Sequence, residues 1–311
     1  MIPTLLMIVV VDFALLDLAP GDLAQVLAGE AGAATPDYID HLRSIYGLDR
    51  PAPLRLAHYV ARILAFDLGY SLRYHAPIAD LIAARLPATI LLAGAALAIA
   101  VTLGVAAGFA AAYRPGSWAD RAIYALAALA CSTPSFLLGL ALVILFSVEL
   151  QWLPTGGMAD VAAPPSAWGR FVDLLAHLVL PATTLGLFFA AVYSRVTRAA
   201  MLEVRDQDYV RTAQAKGVAP LRVAYRHILR NALLPIVTVV GLQAGSLLGG
   251  AVLVETVFSW PGLGRLAFES ISQRDFNLLS GVVLAGAVGV LFVNLAVDIV
   301  YGLLDPRVRL R

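Results

Sequence analysis

Long runs of apolar residues recur along the chain and indicate its architecture. A bilayer core about 30 Å thick needs about 20 apolar residues in one helix. Five windows of at least that length contain no Asp, Glu, Lys or Arg, namely residues 86–113, 122–148, 174–194, 231–254 and 276–297. We predict a membrane span at each window, with approximate bounds 86–113, 122–150, 174–196, 232–257 and 277–303.

A sixth apolar run, residues 1–19, is interrupted by Asp12 and Asp17. Isolated acids within a span are costly unless they face protein or water. We predict a first transmembrane helix here; a cleaved leader is the alternative, although the basic flank of a signal peptide is missing. Residues 20–85 predict an extracytoplasmic insert with two short helices, one from Pro36 to about Tyr46 and one over Leu54–Leu64.

Cations concentrate between the fourth and fifth spans, where eight arginine and lysine residues accompany three acids in residues 195–230. Short loops rich in Lys and Arg lie on the cytoplasmic side. With six spans, the Arg114–Arg121 loop and the tail 305–311 fall on the same side. Both termini are therefore predicted to be cytoplasmic, in a multi-pass protein.

The composition excludes several classes of function. Hydrophobic residues make up 60% of the chain and charged residues 14%, with a net charge of +1, whereas a soluble domain has about 25% charged residues. This excludes a soluble enzyme and a nucleic-acid-binding protein. Cys131 is the single cysteine, and the five histidines show no metal-ligand spacing. Lys216, the single lysine, follows Ala215, whereas a nucleotide-binding P-loop needs glycine there. We predict no catalytic residue, cofactor or metal site in this chain.

Two predicted spans carry small-residue motifs that allow helix backbones to approach closely in lipid. These glycines either pack the bundle or line a substrate pathway: Gly104, Gly108, Gly241, Gly245 and Gly249. Pro134, within the sequence Ser-Thr-Pro-Ser, removes a backbone donor from the third span. We expect a kink there, with the neighbouring hydroxyls satisfying freed backbone groups.

The loop 201–234 has signals for two ordered short helices. Asp206 or Asp208 is a candidate N-cap for a helix over Tyr209–Lys216, and Gly217 is a candidate left-handed stop. Pro220 begins a second, basic helix that runs to about Arg230. One interpretation is a solvated loop that only fixes topology. The caps and the stop favour the other, a docking element for a partner protein.

Residues 208–217 read DYVRTAQAKG and residues 230–235 read RNALLP. Further motifs follow in order: PGD at 20–22, YGLDRP at 46–51, DLGYS at 67–71, RLPAT at 85–89, WLPTGG at 152–157, ETVF at 255–258, WPGLG at 260–264 and LDPR at 304–307. Together they resemble the permease subunits of binding-protein-dependent ABC importers, in the dipeptide and oligopeptide branch. Leu23 departs from the proline that commonly follows PGD in that branch.

The resemblance implies an all-α, six-span type I ABC importer transmembrane domain with an extracytoplasmic insert. Residues 86–304 would be its core and residues 201–234 its cytoplasmic coupling loop. The residues implied in coupling to an ATPase are Asp208, Tyr209, Val210, Arg211, Thr212, Ala213, Ala215, Lys216 and Gly217. Of these, Ala213 and Gly217 would be close contacts in the ATPase cleft, with Arg211 and Lys216 as rim charges.

The resemblance also implies the assembly: a second homologous permease, two ATPase subunits that bind ATP and Mg²⁺, an extracytoplasmic substrate-binding protein and membrane lipid, with no nucleic acid. The location implied is the bacterial inner membrane. The substrate implied is a peptide, although related branches carry nickel, glutathione or sugars.

Two other classes of function remain as alternatives from the residues themselves. An ion-coupled secondary transporter would need mid-membrane carboxylates and an inverted repeat, neither of which stands out. An intramembrane enzyme would need a nucleophile beside a base, but Ser194 and His177 are many turns apart. Glu255, near the outer end of its span, is as consistent with hydration as with function.

Overall fold

A computed structural model of the chain describes residues 2–18, 35–37, 39–40, 51–71, 73–160 and 166–304. The regular structure in these residues is helical apart from a hairpin of β1 (Tyr70–Ser71) and β2 (Ala76–Pro77), in which Tyr70 is paired with Pro77. The helices are α1 (Ile2–Leu18), α2 (Ala52–Leu64), α3 (Ile78–Tyr113), α4 (Trp118–Ser132), α5 (Ser135–Val143), α6 (Ala167–Arg205), α7 (Asp208–Ala215), α8 (Pro220–Arg222), α9 (Arg230–Val257), α10 (Leu263–Ser272) and α11 (Phe276–Leu304).

The all-α membrane fold predicted from the apolar windows is confirmed. Among the described residues, α3, α6 and residues 276–297 of α11 are each long and apolar enough to cross a membrane. Two bent helix pairs raise the number of candidate spans to five if each pair is one span. The apolar part of α1 is shorter, over Pro3–Ala14.

The third predicted span, residues 122–150, is not one continuous helix. Helices α4 and α5 meet at an angle of 105°, and a π-helical turn, Ile144–Glu149, continues α5. Thr133 is extended, with φ −91° and ψ 125°, because the ring of Pro134 disfavours helical geometry in the residue before it. The predicted kink is therefore a full break.

One compact unit combines residues 1–84 with residues 269–288. Asp12 is buried in it, although the acid lies in the middle of an apolar helix. The hydroxyls of Tyr59 and Ser280 both donate to Asp12 Oδ2, at 2.6 and 2.7 Å. These bonds offset the cost of burying the carboxylate, and they tie α1 to α2 and α11.

The insert carries the second of its predicted helices, which is confirmed as α2. Most of the first, from Pro36 to Tyr46, lies outside the described residues. After α2, Asp67 accepts hydrogen bonds from Arg62 and from the amide of Gly69, which lower the pKa of its carboxyl group. These bonds order the chain that leads into β1.

The second unit, residues 85–268 with 289–311, has its main core where α3, α6 and α9 pack together. Its buried members include Leu92, Ala96 and Ala100 of α3, Leu185, Phe189 and Tyr193 of α6, and Leu247, Ala251 and Val254 of α9. The backbones approach closely at Gly108, where an added Cβ would lie 2.5 Å from the carbonyl oxygen of Ser194. At Gly104 it would lie 2.7 Å from the Cβ of Tyr193.

The glycines of α9 behave differently from one another. A Cβ at Gly241 would overlap Val297, and one at Gly245 would lie 2.9 Å from Val290, so both glycines face α11. A Cβ at Gly249 would meet no described atom within 4 Å. Gly249 therefore has no close contact among the described residues, and its predicted role in packing or in the pathway stays a prediction.

Candidate functional site

The loop predicted to dock a partner contains the short helix α7. The helix begins at Asp208, so Gln207 is its N-cap residue. The backbone of Gln207 is extended, and its side chain makes no capping hydrogen bond. The prediction of an aspartate N-cap is therefore wrong, although Asp208 in the first turn still faces the positive end of the helix dipole. The helix ends at Ala215, and Gly217 follows with φ +75° as the predicted left-handed stop.

One face of α7 packs against the chain itself. Val210 is fully buried and Ala213 is 8% exposed. They belong to what we term the α7 cluster: Ala112 of α3, Ala200 and Met201 of α6, Val210, Ala213, Val223, Ile228 and Ala232. Through this cluster α7 rests on the last turns of two long helices. Ala213 therefore supports α7 from within, rather than presenting the close partner contact that the resemblance implied.

The opposite face of α7 is open. Tyr209 is 44% exposed, and the side chains of Arg211 and Asp208 are 70% and 100% exposed. Exposure continues through the rest of this face, at Thr212, Ala215, Lys216 and Gly217. A Cβ on Gly217 would meet no described atom within 4 Å. We refer to these seven residues as the exposed face of α7; the resemblance implied coupling roles for all of them.

The second predicted helix of this loop is not separate. Helix α8 passes through a π-helical turn, Val223–Leu229, directly into α9. Val223, Ala224 and Ile228 are buried in this turn. π-Helical turns within longer helices are frequent at functional sites. Val223 and Ile228 of this turn pack in the α7 cluster, and the turn continues directly into α9, a candidate membrane helix.

A partly buried ion pair lies near the same helix ends and was not found from the sequence. Arg198 Nε and Nη2 donate to Asp120 Oδ1 and Oδ2 at 2.7 and 2.9 Å. The amide of Gly116 also donates to Asp120 Oδ2, at 2.8 Å. The pair joins the first turn of α4 to α6. The sequence signal that could have located Asp120 was Ser117. Ser117 is the N-cap of α4, and its hydroxyl accepts a hydrogen bond from the amide of Asp120 at 3.2 Å.

Replacing Arg198 and replacing Asp120 are expected to lower the stability of the protein by different amounts. The side chain of Asp120 is 7% exposed and that of Arg198 is 35% exposed. We expect Arg198→Met to destabilise the protein by about 2 kcal/mol, since it leaves the Asp120 carboxylate without its charged donor while water still reaches the open side of the pair. Asp120→Asn is expected to cost about 1 kcal/mol, because Arg198 regains water. Thermal unfolding of the purified variants measures both, and equal losses would contradict the assignment.

A further buried carboxylate, Glu255, organises the WPGLG segment. Its side chain is fully buried, and it accepts from the hydroxyl of Thr89 at 2.7 Å and from the amide of Arg265 at 2.9 Å. The indole of Trp260 donates to the carbonyl of Ala88 at 2.9 Å. Glu255 therefore holds the turn before α10, so hydration does not explain it. The sequence signal for this role was the position of Glu255 shortly before a Gly-rich turn, because an acid in an apolar span is a candidate for a structural or functional role.

No group of three or more His, Cys, Asp or Glu side chains in the described residues is placed to hold a metal ion. The functional geometry of the second unit consists of a supported helix with an exposed face, a partly buried ion pair and an organised turn.

Comparison with known proteins agrees with this geometry. Residues 100–310 match the family model for the binding-protein-dependent transport system inner membrane component, and residues 1–93 match its N-terminal companion model. The fold resembles a chain of the MetNI methionine ABC transporter in inward-facing conformations, with a TM-score of 0.57 and 17% identity over 72% of this chain and 96% of that one.

Curated relatives match along almost the whole chain. The di/tripeptide transport system permease protein DppB of Pseudomonas aeruginosa is 41% identical, covering 99% of this chain and 96% of the relative. A putative peptide transport system permease protein of Brucella abortus and the glutathione transport system permease protein GsiC of Pectobacterium atrosepticum are each 42% identical, over the same shares of the two chains. The chain therefore belongs to the family of binding-protein-dependent transport system inner membrane components.

Proposed function

We propose that this chain is the permease subunit of an ATP-driven importer that carries peptides inward across the bacterial inner membrane. The observation that carries the proposal is α7, an ordered helix that lies between long apolar helices and exposes one face. A short helix presented in this way is suited to a groove on a partner protein. The names of the 41% and 42% identical permeases support peptides as the cargo.

The proposal assigns the chemistry of ATP to other chains. Two ATPase subunits bind ATP and Mg²⁺, and their closure presses on the exposed face of α7. A second homologous permease completes the pathway, and an extracytoplasmic protein delivers the peptide. This chain is then a non-catalytic subunit whose task is to convert movement at α7 into movement of its spans.

The packing around α7 supports such a transfer of force. The α7 cluster links the helix to the ends of α3 and α6 and to the π-helical turn before α9. The ion pair between Asp120 and Arg198 then joins α6 to α4. Because packed interiors resist compression, a displacement of α7 moves the attached helix ends with it.

The proposed orientation places α7 and both termini in the cytoplasm, in accord with the excess of cations beside α7. In a Cys131→Ser background, we expect a cysteine at Ala219 to react with an impermeant maleimide only in inverted vesicles. A cysteine at Ala162, in the predicted outer loop, is expected to react only in intact cells. Reversed labelling would overturn the orientation.

The proposal is tested by isolating the assembly. The tagged chain is co-expressed with the candidate ATPase, second permease and binding protein encoded beside it, and purified. We expect the two partner subunits to co-purify and the ATPase rate to rise when peptide-loaded binding protein is added. A chain that purifies without any ATPase would contradict the proposal.

Glutathione is a second candidate cargo, because the 42% identical GsiC is named as a glutathione permease. Glutathione is itself a tripeptide with one unusual linkage, so the two candidates share most of their chemistry. Competition separates them: excess unlabelled glutathione blocks uptake of labelled tri-alanine only if the same system carries both.

A further inference from the structure

The break between α4 and α5 opens onto a cavity of about 530 Å³ within the second unit. Ligand sites in proteins typically have volumes of about 300–1,000 Å³. The wall consists of the break itself, residues 131–135, together with residues of α6 and α9. None of the described residues that line this cavity carries a formal charge. The function described above assigns no role to this space.

The walls combine two kinds of surface. Phe188 and Phe189 of α6, whose rings meet edge to face at 5.3 Å, form an apolar side. Gln243 and Ser246 of α9 lie with the hydroxyls of the break on a polar side. The Gln243 Oε1 atom is buried and has no hydrogen-bond partner in the described residues. Since a buried polar atom without a partner is costly, this acceptor points to a missing donor.

The break supplies backbone groups of both types. The last carbonyls of α4 and the first amides of α5 lack partners within their own helices, and both helix ends border residues 133–134. Transporters use the ends of discontinuous helices in this way to hold polar substrates. A cavity of this kind offers acceptors and donors side by side, together with an apolar wall.

We propose that this cavity is a subsite that holds the backbone of a transported peptide. Amide N–H groups of the peptide would donate to Gln243 Oε1, to the hydroxyl oxygen of Thr133 and to carbonyls at the end of α4. The peptide carbonyls would accept from the Ser132 and Ser135 hydroxyls and from the first amides of α5, because the Thr133 hydroxyl already donates to the carbonyl four residues earlier. Side chains of the peptide would lie against Phe188. The inference rests on the proposed function and identifies where this chain contacts its cargo.

This chemistry also separates the candidate cargoes. A free divalent cation such as nickel prefers imidazole, thiolate or carboxylate ligands. The described residues that line the cavity include the thiol of Cys131 and neither of the other two groups. In addition, Arg195 Nη2 lies 3.2 Å from Cys131 Sγ, so a cation borders the wall. The cavity therefore suits a neutral amide backbone better than a metal ion. Contact with backbone groups would also make the subsite tolerant of peptide sequence.

The first test uses reconstituted complexes of this chain with its partners. We expect the double variant Gln243→Leu, Thr133→Val to take up about tenfold less tri-alanine per ATP hydrolysed, which corresponds to about 1.4 kcal/mol. Its ATPase rate remains stimulated by the loaded binding protein. The matched control is Thr238→Val: Thr133 and Thr238 each donate to the carbonyl four residues earlier, at 2.9 and 3.0 Å, but only Thr133 lines the cavity.

The second test needs no substitution, because Cys131 lines the cavity. In the wild-type complex held with binding protein and a non-hydrolysable ATP analogue, we expect tri-alanine to slow N-ethylmaleimide labelling of Cys131 several-fold, measured by mass spectrometry. Maltose is expected to leave the rate unchanged. Equal labelling with and without tri-alanine, together with uptake per ATP by the double variant equal to that of Thr238→Val, would overturn the subsite. A wild-type complex that takes up no peptide would instead remove the proposed function and, with it, this inference.

Discussion

Replacement of Gly217 by glutamine is expected to lower peptide uptake by the assembled importer at least about tenfold while the chain stays folded in the membrane. An added side chain at this position meets no described atom of the chain. It projects instead from the exposed face of α7, where we propose that the ATPase binds. When the ATPase subunit is limiting, a loss of about 1.4 kcal/mol in the free energy of docking lowers the fraction of permease bound to ATPase about tenfold. Uptake and ATPase retention after purification measure the effect.

Gly116→Gln is the matched control for this variant. Gly116 has φ +76°, against +75° for Gly217, and its added Cβ also meets no described atom within 4 Å. The two substitutions therefore impose a similar backbone strain of about 1 kcal/mol. We expect Gly116→Gln to retain most of the uptake. Equal losses in the two variants would show that strain, and not docking, explains the result for Gly217.

Gly262→Ala is expected to destabilise the turn before α10 by about 2–3 kcal/mol, the cost of forcing extra volume into a packed site. A Cβ at Gly262 would overlap the carboxylate of Glu255. That carboxylate would have to leave its bonds to Thr89 and to the amide of Arg265. The expected result is a lower midpoint of thermal unfolding and reduced uptake.

Gly249→Ala serves as the control, since an added Cβ there meets no described atom within 4 Å. We expect no loss of stability from it, because alanine also favours a helix more than glycine does. A Gly262→Ala protein as stable as the Gly249→Ala protein would show that Glu255 does not hold the turn.

The local features of the fold could be predicted because their signals are local. Apolar windows located the candidate spans, the amphipathic pattern located α2, and Gly217 marked the end of α7. Each of these depends on residues within a few positions of one another. A single sequence carries this information through residue type and spacing alone.

The features that sequence reasoning missed are contacts between distant residues. Asp120 meets Arg198 across 78 positions, and Thr89 meets Glu255 across 166. Composition and periodicity cannot pair such residues. The same limit applies to Ala213, because which face of a short helix is covered depends on the helices beneath it. Likewise, Pro134 indicated an interruption, but the angle of 105° depends on how α4 and α5 pack.

The buried features connect the proposed docking helix to the proposed cargo site. The α7 cluster joins α7 to α6, and α6 contributes Phe188 and Phe189 to the cavity at the α4–α5 break. The ion pair of Asp120 and Arg198 joins the same helix to α4. A movement of α6 driven at α7 would therefore change the wall of the cavity directly, which is what alternating access requires.

In the proposed function, ATP hydrolysis on partner subunits drives transport through this chain. The most direct measurement is uptake of labelled tri-alanine into proteoliposomes that hold the complete complex, with ATP inside and binding protein outside. We expect uptake that requires both ATP and binding protein and that persists when ionophores collapse the proton and sodium gradients. Uptake without ATP that follows an imposed ion gradient would contradict it and identify a secondary transporter.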